Sequence, residues 1–86
     1  MPIFVGAGQT LGNDNIPNAA NSFLAEVAGS DLNFPVTIVV DVTSNGNVSR
    51  ELGAVAHELQ TVKFESDHAI TSITNSSNFG INIAFS

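Results

Sequence analysis

Apolar and polar residues alternate along several stretches of the chain, which is the pattern of β-strands that bury one face. The strongest stretch is residues 34–43, which are rich in valine and isoleucine. Shorter alternating stretches follow at 61–65, 69–74 and 79–85. The sequence therefore predicts a strand in each stretch and an antiparallel meander in the second half of the chain.

Residues 18–28 and 49–60 instead carry apolar side chains three or four positions apart, which is the period of a helix. The sequence therefore predicts a helix in each of these stretches. In the second one, Gly53 lowers the helix propensity by about 1 kcal/mol relative to alanine. A strand that continues a hairpin turn at Asn45 and Gly46 is the alternative for 49–60.

The first seventeen residues are predicted to be an N-terminal arm, followed by one small domain at 18–86. Residues 2–5 form a short apolar segment, and 6–17 are rich in glycine and asparagine, as loops are. Long loops in small domains are often functional. The arm is therefore a candidate partner-contacting segment, with these contact residues: Gly6, Gly8, Leu11 and Ile16.

The C-terminal strand is apolar on one face and carries no charge in residues 79–85. An exposed edge strand of this kind would promote aggregation. The strand is therefore predicted to be central in the sheet, or to pair with another chain. Under the second interpretation the contact residues are Phe79, Ile81, Ile83 and Phe85.

These elements predict a β-rich α+β domain: a mostly antiparallel sheet of four or five strands, one or two short helices and an extended N-terminal arm. An all-β sandwich or barrel is the alternative. The sheet is expected to bury one hydrophobic face, made of Val36, Ile38, Val40, Val62, Phe64, Ile70, Ile73, Phe79, Ile81, Ile83 and Phe85.

Charged residues make up only 12% of the 86-residue chain, and asparagine, serine and threonine replace them. Uncharged polar side chains can be covered by a neighbouring protein at lower cost than charges. The net charge is −6, and Lys63 and Arg50 are the only cations, which disfavours nucleic acid and anionic membranes as partners. A core of this size is marginal and no cysteine can staple it, so association with other subunits is expected.

No motif in the chain predicts catalysis, and no catalytic, cofactor-binding or metal-binding residue is assigned. The glycines at 6–12 lack the spacing and the βαβ unit of a dinucleotide loop. His57 lacks the second histidine of an HExxH motif, and there is no GxSxG nucleophile elbow. Weak calcium binding at Asp14 or Asp41 is left open. The protein is therefore expected not to be an enzyme.

In its low charge, small size, lack of cysteine, acidic balance and glycine- and asparagine-rich arm, the chain resembles the small decoration or cement proteins of tailed-phage capsids. The resemblance implies a non-enzymatic virion protein, made in the host cytoplasm, that forms a homotrimer or homodimer and stabilises a larger shell protein by bridging its subunits. The other function considered is a small binding module that recognises a sugar or a peptide, with or without the help of bound calcium. Residues 1–5 do not predict a signal peptide, so a cytoplasmic location is expected outside a virion.

Overall fold

Two antiparallel sheets of four strands each make up the fold. The computed structural model describes residues 2–29, 31–44 and 48–85. The only helical segment in this part of the chain is a single 3-10 turn at Asn13–Asn15. The strands are β1 (Ile3–Val5), β2 (Thr10–Leu11), β3 (Ser22–Val27), β4 (Val36–Ser44), β5 (Val48–Ala56), β6 (Thr61–Glu65), β7 (Ile70–Asn75) and β8 (Ile81–Phe85).

The strand order is β1-β8-β3-β6 in the first sheet and β2-β7-β4-β5 in the second. The antiparallel pairs β1/β8, β2/β7, β3/β6 and β4/β5 are those of a chain folded once between β4 and β5 into a long ribbon. Rolling up that ribbon brings β8 beside β3 and β7 beside β4. The result has the strand order of a jelly roll.

One hydrophobic core fills the space between the sheets, because the inward residues of both sheets belong to the same cluster. Every residue of the predicted apolar face is part of this core, although the residues come from two sheets and not from one. At its centre, the ring of Phe23 stacks on Phe64 at 5.3 Å and meets Phe85 edge-on at 6.1 Å. The predicted sandwich alternative is therefore confirmed, and neither of the described sheets closes into a barrel.

The predicted helix at 18–28 is wrong, because residues 22–27 form β3. Phe23, Ala25 and Val27 are buried in alternation, while the residues between them are half-buried on the outer face. The apolar positions of this segment fit a period of two as well as a helical period. Pairing with β6 on one side and β8 on the other selects the strand.

The predicted helix at 49–60 is also wrong, and its alternative is confirmed: residues 48–56 form β5, which pairs with β4 along its whole length. Ladder bonds to β4 give the backbone partners that a helix would have supplied. The hairpin turn predicted at Asn45 and Gly46 lies outside the described residues.

The extended N-terminal arm is not what the structure shows. Within residues 2–17, β1 pairs with β8 and β2 pairs with β7. This segment therefore contributes one edge strand to each sheet. Leu11 and Ile16 are buried in the core. The predicted meander is wrong as well, because β6 and β8 lie in the first sheet and β7 lies in the second.

Candidate interaction surface

Most residues predicted to contact a partner lie inside the domain. Leu11, Ile16, Ile81 and Ile83 are buried in the core, and Gly6, Phe79 and Phe85 are half-buried. Gly8 alone among them is exposed. The C-terminal strand is central, between β1 and β3, as the first of its two predicted placements requires. A contact surface available to another protein must therefore be sought elsewhere.

A cleft of about 100 Å³ lies at one end of the sandwich and is lined by Ser44, Arg50, Ser66, Asp67 and His68. Arg50 Nη2 and Asp67 Oδ2 are 3.7 Å apart, and the two side chains are 53% and 80% exposed. Ser66 Oγ accepts a hydrogen bond from the His68 backbone amide at 3.4 Å. A surface ion pair and a local turn contact of this kind order the 66–69 connection and contribute little binding energy.

The described residues contain neither a cluster of three metal-ligating side chains nor a membrane-spanning helix. Among the described residues, no group of three His, Asp or Glu side chains is placed to hold a metal ion. Asp41 Oδ2 accepts a hydrogen bond from Ser76 Oγ at 2.9 Å, and Asp14 lies exposed in the 3-10 turn. No helix formed by residues 2–29, 31–44 and 48–85 is long and apolar enough to cross a membrane.

The free edge of β5 is the longest strand edge of the sandwich. On β4, the amide of Val39 donates to Ser77 Oγ at 2.8 Å, and the carbonyl of Val39 accepts from the Ser76 amide at 2.9 Å. Odd-numbered residues of β4 therefore point their backbone groups toward β7, and even-numbered ones toward β5. Since the β4/β5 register joins even to even residues, the odd-numbered residues of β5 point theirs away from the sheet.

Four residues thus present outward amide and carbonyl groups on this edge: Ser49, Glu51, Gly53 and Val55. Across the described part of the chain, no backbone hydrogen bond outside the strand ladders involves them. The next odd-numbered residue, His57, is already used: its amide donates to Gln60 Oε1 at 2.9 Å, and its carbonyl accepts from the Gln60 amide at 3.1 Å. The open row therefore ends at Val55.

The other described sheet edges carry the features that discourage pairing with another chain. β1 and β2 contain three and two residues, and Pro2 precedes β1. On β6, Lys63 and Glu65 are exposed and form an ion pair of 3.3 Å. Short edges, proline and lysine are common protections of edge strands. β5 is nine residues long, and its second half, 52–56, carries no charge.

Three residues on and after β5 are poor choices for an isolated sandwich. Gly53 weakens a strand, yet it has no positive φ and lies in a regular ladder, and an added Cβ would be 3.6 Å from its nearest atom, an ordinary contact. Val55 is 58% exposed. Leu59 is 85% exposed and has φ +62°, a conformation that side chains rarely adopt.

We call the outward backbone of residues 49–55, which includes Gly53, together with the side chains of Val55 and Leu59, the β5 rim. Functional and strained sites are where residues that break local rules of strand and turn formation are expected. Sequence reasoning missed this surface because it placed 49–60 in a helix. The uncharged run at 52–56 was the available signal, but its meaning depends on its position at an edge.

Comparison with known proteins adds no relative: no family model matches the chain, and no curated protein or solved structure is significantly similar to it. The candidate surface therefore rests on the geometry of β5 and of the turn that follows it.

Replacing Leu59 by asparagine is expected to stabilise the protein. Asparagine adopts positive φ more readily than leucine, and the exposed leucine side chain gives up little packing. We expect the free energy of unfolding to rise by about 0.5–1 kcal/mol, which corresponds to roughly 2–8 °C in melting temperature. Thermal melting followed by circular dichroism measures this, with Leu59→Ala as the control that keeps the strain and shows no gain. A lower melting temperature for Leu59→Asn would mean that the leucine side chain is packed, either within its own chain or against a partner, and does not lie in solvent.

Proposed function

We propose that the protein is a non-enzymatic structural subunit of a multi-subunit assembly, and that the β5 rim is a surface through which it is held there. The observation that carries the proposal is the uncharged second half of the β5 edge, with its outward backbone groups, exposed Val55 and a glycine, Gly53, that the fold does not require. An unpaired strand of this length is a template for another chain. In an assembly the template is occupied.

The composition supports the same role. Only 12% of the residues are charged, and the outer face of the second sheet presents hydroxyl groups such as those of Thr10 and Thr74, whose Oγ1 atoms lie 2.9 Å apart. Hydroxyls that already bond each other can be covered by a neighbour without the penalty that a buried charge incurs. Such a surface suits permanent contact.

The specific form we propose is a virion role, as a capsid decoration or cement protein that joins shell subunits as a homodimer or homotrimer. The jelly-roll strand order supports it, because double-sheet jelly rolls build viral capsid domains. Lectin domains and cupins share the architecture, so the support is a likeness of fold. The location that follows from this role is the virion.

A second candidate function, peptide binding, draws on the same edge. An extended peptide can add a strand to an exposed sheet edge, with main-chain hydrogen bonds supplying affinity. Gly53 and Val55 would then contact side chains of the peptide. This function requires a β5 edge that stays open when the protein is alone in solution.

The mass of the protein in solution separates the two functions. We expect size-exclusion chromatography with light scattering to show a discrete dimer or trimer from low micromolar to submillimolar concentration. A monomer across this range with a normal cooperative melt would contradict the assembly role and favour the peptide-binding module. Soluble aggregates without a defined mass would also contradict it, because a structural subunit needs closed contacts.

A further inference from the structure

We infer that the occupant of the β5 rim is β5 of a second copy of this chain, paired antiparallel, with the twofold axis passing between the two Ala54 residues. This inference rests on the proposed function and specifies the contact it requires. The two second sheets would then form one continuous sheet of eight strands, and the uncharged second half of the β5 edge would be paired in each copy.

The backbone of β5 permits the two central pairs of this register without loss of any bond within the chain. Outward groups belong to odd-numbered residues, and a twofold axis at Ala54 places Gly53 opposite the partner's Val55. Both residues of that pair point outward, so each such pair exchanges two hydrogen bonds. Ala54 lies opposite the partner's Ala54 in a non-hydrogen-bonded pair. Side chains approach most closely in such pairs, and the small alanine side chain fits there.

Charge and side-chain fit select this register among the neighbouring ones. With the axis at Ala54, the intermolecular ladder is made by Gly53 and Val55 of both copies, because β5 ends at Ala56 and His57 already uses its amide and carbonyl within its own chain. An axis at Glu51 would set two glutamates against each other, and one at Arg50 would set two arginines together, which destabilises a sheet. Axes at Leu52 or Gly53 place the exposed Val55 opposite Ser49 or Glu51 of the partner, so that valine no longer lies across from a glycine.

The pairing also accounts for two of the three residues that the isolated fold does not explain. The exposed Val55 would lie across from the partner's Gly53, where the missing side chain leaves room for its methyl groups. A bulky residue opposite a strand glycine shields the glycine backbone from water. By symmetry this contact forms twice, so one glycine and one valine per chain complete the centre of the interface.

A proline substitution tests the edge directly. Val55→Pro removes an outward amide and no ladder bond to β4, so the sandwich is expected to fold while dimerisation weakens by about tenfold or more. The matched control is Thr61→Pro, at the start of β6, which is the edge of the other sheet. The Ser66 amide bonds the Asn21 carbonyl, so even-numbered residues of β6 point their backbone groups toward β3 and odd-numbered ones, such as Thr61, point theirs outward. Sedimentation velocity measures the dimerisation of both variants, and circular dichroism verifies that both fold. Equal dimerisation of Val55→Pro and wild type would overturn the inference.

A second pair of variants leaves the backbone unchanged. Gly53→Glu brings two new carboxylates diagonally across the axis, and Gly53→Gln brings two neutral amides of the same size. We expect the glutamate variant to dimerise about tenfold more weakly than the glutamine variant at low salt, and the gap to narrow as salt is added. Identical dimerisation at every salt concentration would place the interface elsewhere.

Single cysteines read the register, because the chain has no native cysteine. Ala54→Cys is expected to form an intermolecular disulfide on mild oxidation, since adjacent non-hydrogen-bonded residues bring Cα atoms within bonding range. Leu52→Cys and Gly53→Cys are expected to stay reduced, and crosslinking at either instead would overturn the stated axis. If the wild type is an oligomer that none of these substitutions affects, this inference fails and the assembly role stands. A wild-type protein that is monomeric at every concentration would contradict both this inference and the assembly role.

Discussion

Asn75→Leu is expected to destabilise the protein by about 3–5 kcal/mol, a large part of the total stability of a domain this small. Asn75 is fully buried, and its side-chain amide donates to the carbonyls of Val5 at 3.1 Å, Gly6 at 3.3 Å and Phe79 at 2.7 Å. Its Oδ1 accepts from the Ser77 amide at 2.9 Å. Leucine has a similar volume but leaves all of these groups without that partner. Urea unfolding followed by circular dichroism measures the loss.

Two further variants show whether hydrogen bonding is the cause. Asn75→Asp keeps the shape but turns an oxygen toward the carbonyls, so it should be strongly destabilised at neutral pH and partly recover as the carboxyl takes up a proton in acid. The control is Asn78→Leu, because Asn78 lies in the same turn and is exposed, and its effect should stay within about 0.5 kcal/mol. Similar losses for the two leucine variants would contradict this account.

Phe23→Ala is expected to cost about 3–5 kcal/mol, because it opens a cavity at the centre of the core. The Phe23 ring is fully buried against Phe64 and Phe85, so three aromatic side chains lose contacts together. Its matched control is Phe4→Ala on β1, since Phe4 is 61% exposed and should cost well under half as much. Chemical denaturation of both variants measures the difference. Equal losses would mean that Phe23 does not centre the core.

The core was predictable because burial on a strand has a period of two. Ile38 and Val40 in β4, and Ile81 and Ile83 in β8, alternate with more exposed residues in the sequence and are fully buried in the structure. A strand shifted by one residue would turn all of them toward water. The alternation therefore specified which face is buried, whichever strands become neighbours.

The helix predictions failed where the local pattern fitted two periods at once. In β3 and β5, small residues such as Ala25, Gly53 and Ala54 left the choice between helix and strand open. Pairing of β3 with β6 and β8, across long stretches of chain, supplied the deciding hydrogen bonds. Residues 18–28 alone do not contain the information that selects the strand, because strand preference depends on the neighbouring strands with which a segment pairs.

For the candidate surface, too, the sequence determined some properties and the tertiary structure decided the others. The amino-acid sequence by itself determined that the chain is β-rich, which residues are buried, and that few charges protect its surface. Only the tertiary structure decided that β8 is central and β5 is an edge, which turned the C-terminal strand into core and residues 49–55 into an open row of backbone groups. The physical reason is that side-chain burial follows from local periodicity, whereas an unpaired backbone edge exists only relative to the strands that the rolled-up ribbon brings together.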